Sequence, residues 1–146
     1  MIQVKVKLNH PDAKMPTKAH PTDTGFDLYS VERVWLEWDK TNVVDTGISI
    51  EIPQGYEGQI RPRSGLAAKY GVTISNAPGS IDYGYTGPIK VILTKTTDEA
   101  GYSHIVKPGD RIAQLVIKKL PEIQLVEVSE LSDTDRGTDG FGSTGR

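Results

Sequence analysis

The chain has 146 residues, 36% hydrophobic and 25% charged, with 17 Lys and Arg against 19 Asp and Glu for a formal charge of −2. That length fits one domain with its own core, although a small all-β unit often gains stability by oligomerising. A charge this near zero provides no field for a nucleic-acid polymer or an anionic membrane, and the absence of cysteine excludes disulfides, thiolate metal sites and thiol nucleophiles.

The opening MIQVKVKL is too short and too charged for a secretion signal, and no apolar run nears the roughly 18 residues of a membrane span. A soluble, cytoplasmic protein is expected, and the lack of cysteine suits a reducing compartment. Within that opening Ile2, Val4, Val6 and Leu8 alternate with Gln3, Lys5 and Lys7, the period of a strand with one buried face. TDTGFDLYS, residues 22–30, reads as a polar loop ending at Asp27 between Phe26 and Leu28. A carboxylate so placed either organises water around a metal or bonds nearby backbone. GISIEIP puts Ile48, Ile50 and Ile52 on one face before the turn Pro53-Gln54-Gly55.

RPRSGLAAKYG, residues 61–71, places Arg63, Ser64 and Gly65 ahead of the only predicted helix, a turn or two at GLAAKY. Guanidinium, hydroxyl and glycine amide are donors suited to an anionic oxygen, or Ser64 is simply an N-cap. NAPGSIDYGYTG, residues 76–87, reads as a hairpin of small residues that exposes backbone and ends in Asp82, with Tyr85 three residues on. Such a strip suits the polar edge of a flat base with a carboxylate for proton abstraction, or it is a tight turn with a solvated acid.

PIKVIL, RIAQLVIKKL and EIQLVEV read as further extended runs. In PGDRIAQLV, Arg111 and Gln114 flank an apolar pair, and Gln114 is either a satisfied amide or a ligand donor. His10, His20 and His104 lack metal-ligand spacing, and Ser64 has no histidine partner in its motif, so neither a zinc site nor a serine triad is supported. From about residue 132 the chain is polar and glycine-rich. Its end, RGTDGFGSTGR, spells G-x-G-x-x-G without the strand and helix that a dinucleotide loop needs. Many short strands with regular turns predict an all-β sandwich, jelly roll or barrel carrying a mobile C-terminal arm.

Taken in order, TGFDLYS, RPRSGLAAKYGV, NAPGSIDYGYTG, PGDRIAQLV and RGTDGFGSTG resemble the five motifs of the trimeric deoxyuridine triphosphate nucleotidohydrolases, the dUTPases, over nearly the whole chain. The resemblance implies a jelly-roll-like distorted β-barrel over residues 1–131, an arm over 132–146 that closes the active site, and a homotrimer with its sites at subunit interfaces. It implies hydrolysis of dUTP to dUMP and pyrophosphate, limiting uracil in DNA and supplying dUMP for dTMP synthesis. By the same resemblance Asp82 activates the water that attacks the α-phosphorus. Arg63, Ser64, Gly65 and Gln114 take the triphosphate, Asn76, Gly79, Ser80 and Ile81 read uracil, Tyr85 packs on the deoxyribose, and Lys90 lines the nucleotide pocket. From the arm, Arg136 meets the triphosphate, Phe141 covers the uracil, and Gly142 and Ser143 offer phosphate contacts. The implied cofactor is Mg²⁺, held through triphosphate oxygens and water without a direct protein ligand and with Asp27 at most in the outer shell.

Asp139, Thr24, Phe26 and the segment LTKTT depart from the usual family pattern, and Asp139 adds negative charge where a triphosphate is to be wrapped. Two alternatives accompany the hydrolase reading: a dCTP deaminase-like enzyme of the same fold, which needs a glutamate in its pocket, and a nucleotide-gated regulatory binding protein.

Overall fold

The computed structural model describes residues 1–97 and 104–140. Its elements in chain order are β1 (Lys5–Leu8), β2 (Phe26–Tyr29), β3 (Val34–Leu36), β4 (Thr41–Glu51), β5 (Tyr56–Arg61), α1 (Ser64–Tyr70), β6 (Val72–Ile74), β7 (Gly79–Ile81), β8 (Pro88–Lys95), β9 (His104–Val106) and β10 (Arg111–Lys119). They form two four-stranded sheets, ordered β1-β4-β8-β6 and β2-β10-β5-β7, and a two-stranded sheet of β3 and β9. The arrangement is jelly-roll-like, and the described strands make three sheets and no closed cylinder.

Alternation accounts for the core. In β8 the side chains of Ile89, Val91 and Leu93 turn inward while Pro88 and Lys90 face out. Ile48 and Ile50 of β4, and Ile52 just beyond it, do the same. These meet Leu28, Ile60, Ile112 and Leu115 of the second sheet in one apolar cluster. Each fully buried side chain of this size contributes about 1.5–3 kcal/mol relative to an exposed one, and that burial offsets the ordering of a glycine-rich chain.

Four expectations are corrected. The stretch TDTGFDLYS is not all loop, because Phe26–Tyr29 is β2 and Asp27 stands opposite Gln114 of β10. Four residues are too few for a periodic signal, and the pairing comes from a strand far along the chain. The stretch from Asn76 is not a two-stranded hairpin. β6 pairs with β8 in one sheet and β7 pairs with β5 in the other, so the chain crosses between sheets here. EIQLVEV forms no strand, and Ile123, Leu125 and Val126 are 75%, 93% and 70% exposed, because no edge within this chain pairs with them. At the N-terminus only Lys5–Leu8 pairs, and Ile2 and Leu8 stay exposed while Val4 and Val6 pack partly against the core.

The helix also starts one residue earlier than expected. Arg63 holds the N-cap position with φ −94° and ψ 126°, no side chain caps it, and Ser64 is the first helical residue. Gly71 closes the helix at φ 62°, its amide donating to the Ala67 carbonyl at 3.0 Å. None of the helical residues is fully buried, so α1 depends on Leu66, which packs partly on the core, and on Tyr70, whose ring lies 4.4 Å from that of His104 at 34°. No described helix is long and apolar enough to cross a membrane.

Burial lowers the His104 pKa below the ordinary 6.5, with nearby Asp110 opposing and Lys95 reinforcing the shift. Above pH 6.5 neither folded nor unfolded chain holds this proton. As pH falls through 6.5 the unfolded chain takes it up before the folded chain does, so this group makes the fold less stable on acidification. His104→Phe, which keeps a ring against Tyr70, is expected to lose less stability between pH 7.5 and 5.5 than the parent in parallel urea titrations.

Candidate functional site

The residues expected at one site lie in two recesses of the chain. The first, of about 370 Å³, is lined by Asn76, Gly79, Ser80, Ile81, Asp82, Tyr85 and Lys90, with an apolar floor that includes Ile74, Ile89 and Val91. Its organising element is β7. Gly58, Gln59 and Ile60 of β5 pair with Ile81, Ser80 and Gly79, and no other described strand lies beyond. An edge strand keeps one row of peptide N–H and C=O groups outside the sheet, and here small residues leave that row uncovered.

Asp82 follows directly at the end of β7, exposed and, among the described residues, the only carboxylate in this lining. The chain then turns, the Tyr85 amide donating to the Asp82 carbonyl at 3.2 Å, with Gly84 at φ 88° where a side chain is disfavoured. Tyr85 folds back so that its hydroxyl donates to the Pro88 carbonyl at 3.0 Å. Lys90 lies opposite Asp45 of β4, its Nζ 3.9 Å from Oδ2.

The second recess, also about 370 Å³, gathers Arg63, Ser64, Gly65 and Gln114 with Asp23, Thr24, Gly25, Asp27 and Arg111. Asp27 is its electrostatic centre. Its Oδ1 accepts from Arg63 Nε at 3.0 Å and its Oδ2 from Arg111 NH1 at 3.2 Å, while Arg63 NH1 donates to the Arg111 carbonyl at 3.1 Å. Charge-assisted pairs of this kind hold a guanidinium plane in one orientation. Gln114 Nε2 donates to the Pro62 carbonyl at 2.8 Å and so pins the turn that presents Arg63, keeping one N–H to offer elsewhere. A methyl group on Gly25 would come 2.5 Å from Gln114 Oε1, so the glycine keeps this amide in place.

The Leu66 and Ala67 amides donate to the Arg63 carbonyl, whereas the Ser64 and Gly65 amides come before the first helical donor and have no acceptor within the helix. A side chain at Gly65 would meet nothing within 4 Å, so packing within this chain does not demand a glycine there, and open space lies over its backbone. The sequence reading gave Arg111 no role. Its signal was present in PGDRIAQ, but only its pairing with Asp27 across β2 and β10 makes it part of the recess.

Among the described residues no three His, Cys, Asp or Glu side chains converge as a metal cage. The donor set suits a Mg²⁺ carried by phosphate oxygens, since each Asp27 oxygen that accepts from an arginine retains a lone pair for a metal-bound water. Arg136 lies in neither lining. Its Nε donates to the Asp139 carbonyl at 3.0 Å within a turn in which Thr134 Oγ1 accepts from the Gly137 amide at 3.1 Å. Asp139 thus contributes backbone to this turn, its amide donating to the Arg136 carbonyl at 3.1 Å. Phe141, Gly142 and Ser143 lie outside the described residues.

A family model described as dUTPase matches residues 11–145. Deoxyuridine 5'-triphosphate nucleotidohydrolase of Solibacter usitatus is 45% identical over 99% of this chain and 97% of its own length. That of Thermobifida fusca is 49% identical over 99% of this chain and 79% of its own length. Among solved structures, the dUTPase of Staphylococcus bacteriophage 80alpha with dUpNHpp superposes at a TM-score of 0.86, with 33% identity and full coverage of both chains. A mutant dUTPase of phage phi11 of S. aureus, described with a structural Mg(II) ion, superposes at 0.79, with 28% identity over 90% of this chain and 100% of that one. The chain therefore belongs to the dUTPase family and is an enzyme of the dUTP diphosphatase class.

Proposed function

We propose that the chain cleaves dUTP to dUMP and pyrophosphate by in-line attack of water on the α-phosphorus, and that Asp82 is the base. The water oxygen bonds to phosphorus, the bridging oxygen to the β-phosphorus departs with pyrophosphate, and the proton passes to the Asp82 carboxylate. The observation that carries this reading is the position of Asp82, adjoining an edge strand whose spare backbone row lines a nucleotide-sized recess. A uracil edge presents an acceptor, a donor and an acceptor, which peptide groups of Gly79, Ser80 and Ile81 match, and Asn76 stands at the entry to that strand. Tyr85 packs on the deoxyribose, and Lys90 completes the wall.

A triphosphate repels nucleophiles, so the site needs directed positive charge. Arg63, the Ser64 hydroxyl, the amides of Ser64 and Gly65, and Gln114 supply it from the second recess. Mg²⁺ bound with the substrate would supply neutralisation of phosphate charge. Asp27 would at most bond water in its outer shell. The arm, residues 132–146, closes over the nucleotide, with Arg136 on the triphosphate, Phe141 over the base, and Gly142 and Ser143 on phosphate oxygens. The deaminase alternative has less support, because among the described residues no glutamate lines the first recess. The reaction lowers dUTP available for incorporation into DNA and yields dUMP for dTMP synthesis, in the cytoplasm where those pools are used.

The two recesses are halves of composite sites in a homotrimer. Two observations support this: the apolar run Ile123, Leu125, Val126, Val128 and Leu131 is exposed along its length, and an apolar groove of about 380 Å³ lies open between Ile2, Val4, Val6, Phe26, Tyr56 and Ile117. A run from one copy laid across a neighbour buries both.

Asp82→Asn is expected to abolish pyrophosphate release from dUTP while holding a non-hydrolysable analogue within about tenfold of the parent affinity. Retained turnover removes Asp82 from the mechanism. The same assay across dUTP, dTTP, dCTP and UTP, with and without Mg²⁺, is expected to show strong preference for dUTP and dependence on the metal, without ammonia from dCTP.

Removal of residues 134–146 is expected to leave a folded trimer by light scattering with little activity, since the arm adds nothing to the core. Leu125→Asp with Val126→Asp is expected to dissociate the trimer. A trimer that survives the charged pair would assign its contacts elsewhere.

A further inference from the structure

We infer that the Gly87-Pro88 backbone is the seat of the Tyr85 ring, which makes Gly87 a specificity-positioning residue for the sugar although it touches no substrate. The inference rests on the reading above that Tyr85 packs against the deoxyribose. A methyl group built on Gly87 would lie 2.6 Å from the Tyr85 hydroxyl oxygen, 2.7 Å from Cζ and 3.0 Å from Cε2. All three nearest atoms belong to this one ring, and all are far inside the roughly 3.5–4.0 Å of carbon contact. The φ of Gly87 lies outside the left-handed region, so φ does not itself call for glycine there, and the nearest atoms a side chain would meet are those of the ring.

The ring is held from two directions. Its body rests on the bare Cα of Gly87, and its hydroxyl donates to the Pro88 carbonyl at 3.0 Å. Tyr83, two residues earlier and 60% exposed, has no hydrogen bond of its hydroxyl among the described residues, so the fastening is particular to Tyr85. Refusal of a ribose 2′-hydroxyl is a matter of a few tenths of an ångström in where the ring stands, because a ring free to withdraw makes room for the extra oxygen. The clash introduced at Gly87 falls on the far end of a half-exposed side chain and is relieved by moving that ring, so the substitution spares the core.

The experiment compares kcat/KM for dUTP and for UTP in the parent, Gly87→Ala, Tyr85→Ala and the double variant, with melting curves to confirm folding. Gly87→Ala is expected to reduce the dUTP-to-UTP ratio about tenfold or more, within the scale known for small misplacements of a positioning group. In the Tyr85→Ala background the same change is expected to leave the ratio unaltered, since residues that act through one another are not additive. A ratio that collapses with Tyr85→Ala but stays at the parent value with Gly87→Ala overturns this inference and leaves the sugar reading intact. A ratio unchanged by Tyr85→Ala overturns the sugar reading itself. Should Gly87→Ala not fold, Tyr85→Phe removes only the bond to the Pro88 carbonyl and is expected to lower the ratio about threefold, on the scale of one net hydrogen bond. No change there sinks the seat as well.

Discussion

The pairing of β10 with two strands at once is the constraint on which the proposed phosphate half of the site depends. Gln114 stands opposite Asp27 of β2 on one side and Arg61 of β5 on the other. That single line across three strands brings together residues 87 positions apart in sequence, and the hydrogen bonds of the recess follow from it. Asp27 reaches Arg63 and Arg111 because β2 adjoins β10. The Gln114 amide reaches the Pro62 carbonyl because β5 ends beside it. A shift of one residue in either ladder would turn Gln114 to the opposite face and release the turn that carries Arg63. The ladders are in turn held by Leu28, Ile60, Ile112 and Leu115, whose burial fixes the register of all three strands.

The proposed base-and-sugar half depends on the end of the same sheet. Among the described strands β7 has a neighbour on one side only, and what would be a liability on an exposed edge serves, on that proposal, as a recognition surface lining a recess. Short side chains leave the row accessible, and the turn after it sets Asp82 and Tyr85 in fixed relation. The two halves thus use different chemistry, charge in one and peptide groups in the other, on opposite ends of one strand order.

Much of this was legible in the sequence, and the failures share a cause. Ile48, Ile50 and Ile52 announced their buried face by period alone, and Asp82 with Tyr85 stood in a motif compact enough to read as a unit. Periodicity does not say which strand will be the partner, however. The stretch around Asn76 read as a hairpin when it crosses between sheets, and EIQLVEV had the pattern of a strand without an edge in its own chain to pair with. Asp27 could be recognised as an acid between apolar neighbours, but its two arginines come from β10 and the turn before α1, and only tertiary pairing reveals them. Of the two readings open for Ser64, anion donor or cap, the cap rested on serine favouring that position. Arg63 occupies it instead, and the hydroxyl is left without a capping role.

The charge inventory of the phosphate recess has a consequence for selection among cellular anions. Arg63 and Arg111 face Asp23 and Asp27, so the lining carries two positive and two negative side chains and sums to zero. A recess with a large positive excess would collect any polyphosphate, and the commoner purine triphosphates would occupy it most of the time. A balanced one binds phosphate weakly by itself. On the proposed reading, discrimination is then handed to the recess that takes base and sugar, and the enzyme stays available to its own nucleotide in a crowd of similar chains of phosphate.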